Sequence, residues 1–159
     1  NVKMKKRTKE ITHKIMSAIK DRDTKPEVFF RKALWKWGIR YRKNVGLFGK
    51  PDIAIKKYKL VIFIDGDYWH GNNWRIRGFP SLEAELETYS DYWQKKIRGN
   101  IERDKKVNDH YSSLGWTVLR FWQSDIEKDL TACIVKTIGI INEKKVPAYP
   151  APSMARGDC

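Results

Sequence analysis

Asp52 and Asp65 stand thirteen residues apart, each at the end of a strand-like run. Asp52 follows Gly49-Lys50-Pro51 and opens the run Asp52–Ile55. Asp65 follows the run Leu60–Ile64 and precedes Gly66 and Asp67. The polar link Lys56–Lys59 joins the two runs in the form of a hairpin, and a hairpin brings those two ends together. Two convergent carboxylates are hard oxygen ligands suited to Mg²⁺, which takes one or two carboxylates and keeps waters for a substrate phosphate. A metal held in this way activates water and stabilises the charge of a hydrolytic transition state. Acids at strand ends also serve simply to solvate a turn, and spacing alone does not separate the two readings. His70 adds a base five residues beyond Asp65, after Tyr68-Trp69 in a loop bounded by glycines. A neutral imidazole there could take a proton from an attacking water. The other histidines, His13 and His110, fall in helix-like stretches.

The chain that positions these residues has 159 residues, room for one domain with its own core. It carries 33 Lys+Arg against 19 Asp+Glu, a net charge of +14, which points to a polyanionic partner, most simply nucleic acid. Residues 1–50 hold 16 basic and 4 acidic side chains, a net +12, while residues 51–159 hold 17 and 15, a net +2. The basic surface is therefore concentrated in the N-terminal third, where neutralising phosphates is its commonest use. A hydrophobic fraction of 41% with 13% aromatic residues is too high for a disordered basic tail. Cys133 and Cys159 are too few for a disulfide framework or, alone, for a structural zinc site. No apolar run approaches the roughly 20 residues that cross a bilayer, and no signal peptide is expected at Asn1. The expectation is a soluble intracellular domain with no membrane partner.

Residues 1–10 read as a flexible basic arm. From Ile11, the residues Ile11, Ile15 and Ile19 fall at helical spacing. A second helix begins near Pro26, with Asp23 or Thr24 as its cap and Glu27 complementing the dipole. It runs through Phe30, Ala33, Leu34 and Trp37 to Gly38. Three strands follow, over 39–45, 52–55 and 60–64, and the wholly apolar LVIFI reads as a central strand buried on both faces. Residues 66–80 read as a loop rich in Gly, Asn and aromatics. Helical periodicity covers 82–86 and 92–114, a strand 116–122 and a last helix 126–141. Residues 11–145 then form a single domain, and 146–159 a Pro-rich, unpacked tail. The order α-α-β-β-β-α-β-α implies a mixed central sheet flanked by helices.

The run GKPDIAIKKYKLVIFIDGDYWHG resembles the very-short-patch repair (Vsr) endonuclease family, with RDTKPE before it and NIERD and GWTVLRFW after it. That family cleaves one DNA strand beside a T:G mismatch and belongs to the restriction-endonuclease-like fold. The resemblance extends from about Ile15 to Ser124 in matching order. It implies an Mg²⁺-dependent endonuclease acting on double-stranded DNA and leaving 5′-phosphate and 3′-hydroxyl ends. Asp52 would be the principal metal ligand, with the backbone carbonyl of Ile64 as a second. Glu27 would hold a metal-bound water or orient His70, the catalytic histidine. Asp104 matches an acid that supports a second catalytic histidine. Tyr68, Trp69 and Trp93 match side chains that wedge into the base stack, although Trp93, at helical spacing with Ile97, also fits core packing. Met16 and Ile19 match helix residues that enter the minor groove; they could equally dock the first helix onto the sheet.

Three departures from the family pattern shape these expectations. The well-known repair members have histidine where this chain has Asp65, so Asp65 is expected to ligate the metal beside Asp52. Asp104 is then expected to lack an imidazole partner. The family's structural zinc positions are here Asp67, Asn72, Trp74 and Ser124, with no Cys or His among them. No structural zinc is expected, and packing of Trp74 against the sheet is expected to substitute. Asp67 also stands where the wider fold's motif wants Lys. The same branch includes restriction, nicking and homing enzymes, so matched-site cutting is an alternative to mismatch repair, and a catalytically silent DNA-binding module is a further one. The organism is expected to be a prokaryote or phage and the enzyme a monomer, since no heptad or spare apolar helix is left for a dimer interface. An accessory protein partner is left open.

Overall fold

An unbroken apolar run can be a strand only if both of its faces are covered, and LVIFI is covered on both. In the computed structural model, which describes residues 8–17, 23–43 and 46–145, β3 (Leu60–Asp65) is buried at all six positions. It pairs antiparallel with β2 (Ile53–Ile55), setting Ile53 opposite Ile62, and parallel with β4 (Thr117–Trp122), setting Phe63 opposite Arg120. A short edge strand, β1 (Arg42–Lys43), completes the order β1-β2-β3-β4.

Strand alternation sorts the side chains into two cores. Leu60, Ile62 and Ile64 join Ile53, Ile55, Leu119 and Phe121 on one face. There they meet Phe30 and Leu34 of α2 (Lys25–Lys36), Ile126 of α6 (Gln123–Lys128), and Cys133, Ile134 and Ile141 of α7 (Leu130–Lys145). Ala54, Val61 and Phe63 face the other way, against Val107 and Tyr111 of α5 (Asp91–Ser113). A smaller cluster beyond the sheet joins Leu86 of α4 (Leu82–Leu86) and Tyr89 to Trp93 and Ile97 of α5. The chain therefore has the expected mixed sheet flanked by helices. No helix among the described residues is long and apolar enough to cross a membrane.

The elements differ from the periodicity-based reading in four places. The strand expected over 39–45 shrinks to β1, because Ile39 and Tyr41 turn away to pack on the core formed with α2; Val45 lies outside the described residues. Within 66–80 there is a short helix, α3 (Asn73–Ile76). The last helix is two, broken at Asp129, whose carboxylate accepts from the Ala132 N–H at 3.0 Å and so starts α7 afresh. The first helix, α1 (Lys9–Ser17), starts two residues before Ile11, and it buries Thr12 while leaving Ile11 half exposed. At α2, Thr24 occupies the N-cap position without a side-chain bond to the helix, its Oγ1 instead accepting from Gln123 Nε2 at 3.2 Å, while Asp23 accepts from Arg31 at 2.8 Å. The side chain of Met16, Ile19 and the tail 146–159 lie outside the described residues.

Candidate active site

Residues of one parity on β3 and its neighbours point toward α5. Phe63 and Asp65 on β3 share that face with Arg120 on β4, and Asp52 lies just before β2. With Asn100, Arg103, Asp104 and Val107 of α5 they line a cleft of about 450 Å³, joined by Lys50, Ile64 and His70. Two glycines let the flanking loops close on α5. Gly49 has φ +75°, and a Cβ there would fall 2.6 Å from Val107 Cγ1. Gly71 has φ +81°, and a Cβ there would fall 2.6 Å from Ile101 Cδ1. The Tyr111 hydroxyl, donating to the Phe48 carbonyl at 2.5 Å, ties down the loop that leads to Asp52. Asn100 donates to the Trp69 carbonyl at 3.0 Å and holds the loop that bears His70.

Asp52 accepts from the Ile64 N–H at 2.6 Å, which anchors one carboxylate oxygen across the hairpin. Burial pushes Asp52 up to about 6; the Ile64 bond opposes this and the charge of Asp65 adds to it. A buried carboxylate that is hard to ionise is one that a cation would stabilise. With Asp65 and Ile64 also lining the cleft, the oxygen donors suit a divalent metal.

His70 Nδ1 lies 2.5 Å from Asp104 Oδ2 and 3.9 Å from Asp65 Oδ1. Ligand atoms of Asp65, His70 and Asp104 all fall within 4.8 Å of one another, close enough to hold a metal ion. Burial alone would lower the His70 imidazole, but the hydrogen bond to Asp104 and the charges of Asp65 and Asp104 outweigh it and hold it above 6.5. With Nδ1–H donating to Asp104, Nε2 is the nitrogen left to take a proton.

Several expected residues have other surroundings than the sequence implied. Asp104 is not orphaned: His70 itself is its imidazole partner, because the loop after β3 brings that ring over α5. Both oxygens of Asp65 are engaged by Arg120 Nη1 at 3.0 Å, so its first partner is a guanidinium. Glu27 is buried at 1% exposure, outside the lining of the cleft. Burial first, then the charge of Asp52, pushes it up to about 7, while Arg31 opposes the shift. Its charged contact is Arg31, whose Nη1 lies 3.7 Å from Glu27 Oε2.

Trp93 is 3% exposed and donates from Nε1 to His13 Nδ1 at 2.7 Å. It is packed in the smaller hydrophobic cluster here, with the Trp69 ring edge-on at 5.1 Å. Tyr68 and Trp69 are half-buried against the same cluster, with Lys96 Nζ 4.5 Å from the Trp69 ring centre.

Three of the four positions matched to zinc ligands, Asp67, Asn72 and Ser124, hydrogen-bond to one another. Asp67 Oδ1 accepts from Asn72 Nδ2 at 2.8 Å and from Ser124 Oγ at 2.7 Å; Oδ2 accepts from the Ser124 N–H at 3.1 Å. The cross-link is therefore this buried carboxylate, not Trp74, which lies outside the hydrophobic clusters with the Arg75 guanidinium 4.6 Å from its ring centre. The sequence reading missed Arg120, Asn100 and Arg103. A signal existed for the first two: Arg120 is the one charge in the strand run WTVLRFW, and Asn100 lies one helical turn before Asp104.

The family model for the DNA mismatch endonuclease Vsr matches residues 4–76. A type II nicking enzyme of Neisseria meningitidis serogroup C, V.NmeDIP, is 42% identical over 143 residues, covering 89% of this chain and 93% of the relative. V.HpaIIP, a type II nicking enzyme of Haemophilus parainfluenzae, is 46% identical over 128 residues, 79% of this chain and 87% of the relative. The DNA mismatch endonuclease Vsr of Escherichia coli K12 is 33% identical over 111 residues, 69% and 67% of the two chains. Likeness of this extent and degree, in a chain whose acids and histidine meet in one cleft, makes the protein a member of the Vsr family of DNA endonucleases.

Proposed function

We propose that the protein is an Mg²⁺-dependent nicking endonuclease that acts as a monomer on double-stranded DNA at or near T:G mismatches. The observation that carries this reading is the meeting of Asp52, Asp65 and the His70–Asp104 pair in one cleft. Asp52 and the carbonyl of Ile64 would hold the ion at the phosphate, with Asp65 beside them and Glu27 within electrostatic reach of Asp52. The ion's contribution is to lower the pKa of a water and to offset charge on the phosphate. His70 takes the proton of the attacking water at Nε2, and Asp104 holds the ring in the tautomer that can do so. Lys50 and Arg103, exposed on the cleft wall, neutralise the flanking backbone. Water attacks phosphorus, the bond to the 3′ oxygen breaks, and the products carry 5′-phosphate and 3′-hydroxyl ends.

Trp69 and Tyr68 supply the wedge at the mismatch, where unstacking is least costly, and Met16 and Ile19 approach from the minor groove. The names of V.NmeDIP and V.HpaIIP, type II nicking enzymes, support nicking as the outcome; nicking without mismatch preference is the second reading. Plasmids with and without T:G mismatches, incubated with Mg²⁺ or EDTA, separate the cases. Nicking of mismatched plasmid that stops in EDTA and in Asp52→Ala is expected. Cutting that survives both treatments refutes the metal mechanism, and equal nicking of both plasmids favours the second reading.

A further inference from the structure

Arg120 stands between two acids of the site, Asp65 and Asp104. Set opposite Phe63 in the parallel ladder, it shares the face that α5 covers. Its guanidinium is held in place from two sides: Nε donates to Asn108 Oδ1 at 2.8 Å, and Cζ lies 4.1 Å from the centre of the Phe63 ring. Nη1 lies 3.0 Å from both oxygens of Asp65 and 3.5 Å from Asp104 Oδ1. Asp104 thus faces Arg120 with one oxygen and His70 with the other. We propose that Arg120 is a positioning residue, a built-in cation that holds Asp65 and Asp104 together and thereby fixes the carboxylate that orients His70.

The argument is one of charge and direction. Asp65 and Asp104 offer carboxylate oxygens to one small volume, and two like charges that close repel unless a cation lies between them. A divalent ion is one solution; here a guanidinium, pinned by Asn108, lies within reach of both acids. Asn108 and Asp104 are four residues apart on α5, so one helix face supplies both the anchor of Arg120 and one of its targets. With Arg120 in that place, the metal's position falls to Asp52 and Ile64, and Asp65 belongs to the apparatus that aims the base. Nε and Nη1 are engaged by Asn108 and the two acids, while Nη2 is buried without a hydrogen-bond partner among the described residues, so phosphate binding is the competing role that the test below includes.

This inference rests on the reading of His70 as the base, and its test keeps the two apart. Wild type must first nick DNA in an Mg²⁺-dependent way; if it does not, the proposed function itself fails. Given that activity, Arg120→Met and Asp65→Asn are each expected to lower kcat by about 10–100-fold, the range for a partner that orients a site ligand. KM for DNA and the Mg²⁺ half-saturation should stay within about twofold. The double variant Asp65→Asn/Arg120→Met should be no slower than the worse single variant, since both act through one unit. A raised KM in Arg120→Met assigns Arg120 to phosphate binding and overturns the proposal. So does a raised Mg²⁺ half-saturation in Asp65→Asn, which makes Asp65 a metal ligand, or multiplicative losses in the double variant. Should Arg120→Met not fold, Arg120→Lys carries the test, because it keeps the charge but not the fork. Its His70 ring nitrogens, followed by ¹⁵N NMR at mildly alkaline pH in metal-free protein, should show the Nδ1–H form less populated than in wild type. An unchanged tautomer together with an unchanged kcat overturns the proposal.

Discussion

Replacing Asp67 by alanine removes one carboxylate and strands three donors at once. Asn72 Nδ2, Ser124 Oγ and the Ser124 N–H all end on it, at 2.8, 2.7 and 3.1 Å, in a place where Asp67 is 8% exposed. A hydrogen bond to a charged group contributes about 1.5–3 kcal/mol, and a buried donor left without a partner costs a similar amount. Simple addition overstates the loss, because water enters the gap and the donors relax, so the expected destabilisation is about 3–5 kcal/mol. For a chain of this size, each kcal/mol corresponds to about 2–4 °C, which puts the fall in Tm at about 6–20 °C. Thermal unfolding followed by circular dichroism measures it, with Ser124→Ala as the milder control expected to lose about 1 kcal/mol, since its backbone N–H still reaches Asp67. A zinc chelator should leave the wild-type Tm where it was. A loss under 1 kcal/mol in Asp67→Ala would refute the reasoning, as would a wild-type Tm that falls with chelator.

Two further outcomes are expected. Glu27 and Asp52 are held at about 7 and about 6 in the folded protein, above their ordinary 4.5 and 3.8, so the folded state binds their protons more tightly than the unfolded one. Their contribution to stability is therefore present below about 4 and is lost as pH rises through 6 and 7. Metal-free protein should show Tm falling across that window, Mg²⁺ should restore part of the loss above pH 7, and Glu27→Gln with Asp52→Asn should flatten the profile in a Tm-against-pH series. Gly71→Ala places a methyl group 2.6 Å from Ile101 Cδ1 at a φ of +81°; it should cost about 2 kcal/mol and, by displacing His70, lower single-turnover nicking about tenfold or more.

Strands and helices with strong local patterns were readable before any coordinates. LVIFI reads as a doubly covered strand, and the hairpin it forms brings Asp52 and Asp65 to one cleft, with Asp52 bonded across to the Ile64 N–H. What escaped depends on pairing over long stretches of chain. Nothing local to Asp104 says that His70, 34 residues away, will be its partner, nor that Arg120, 55 residues beyond Asp65, will sit between them. Trp69 and Trp93 are alike in type, and their different fates follow from which face of α5 the loop after β3 lies against. The Asp67 cross-link spans 57 residues and uses side chains common in any loop; only the resemblance marked its positions, and it could not show how they would bond.

Between β3 and its parallel neighbour β4 the chain makes a single long excursion, residues 66–116, which holds His70 and Asp104, and the two strands that bound it carry Asp65 and Arg120. During synthesis the basic N-terminal third and every acid of the cleft emerge before β4 does. A nascent chain can thus cling to polyanions while its centre is still open, for β3 has only β2 beside it and the guanidinium has yet to appear. Slippage of β4 by one residue would turn Arg120 to the opposite face. The charge balance of the cleft is therefore completed by β4, the last strand of the sheet to be made, and only in the register that sets Arg120 opposite Phe63.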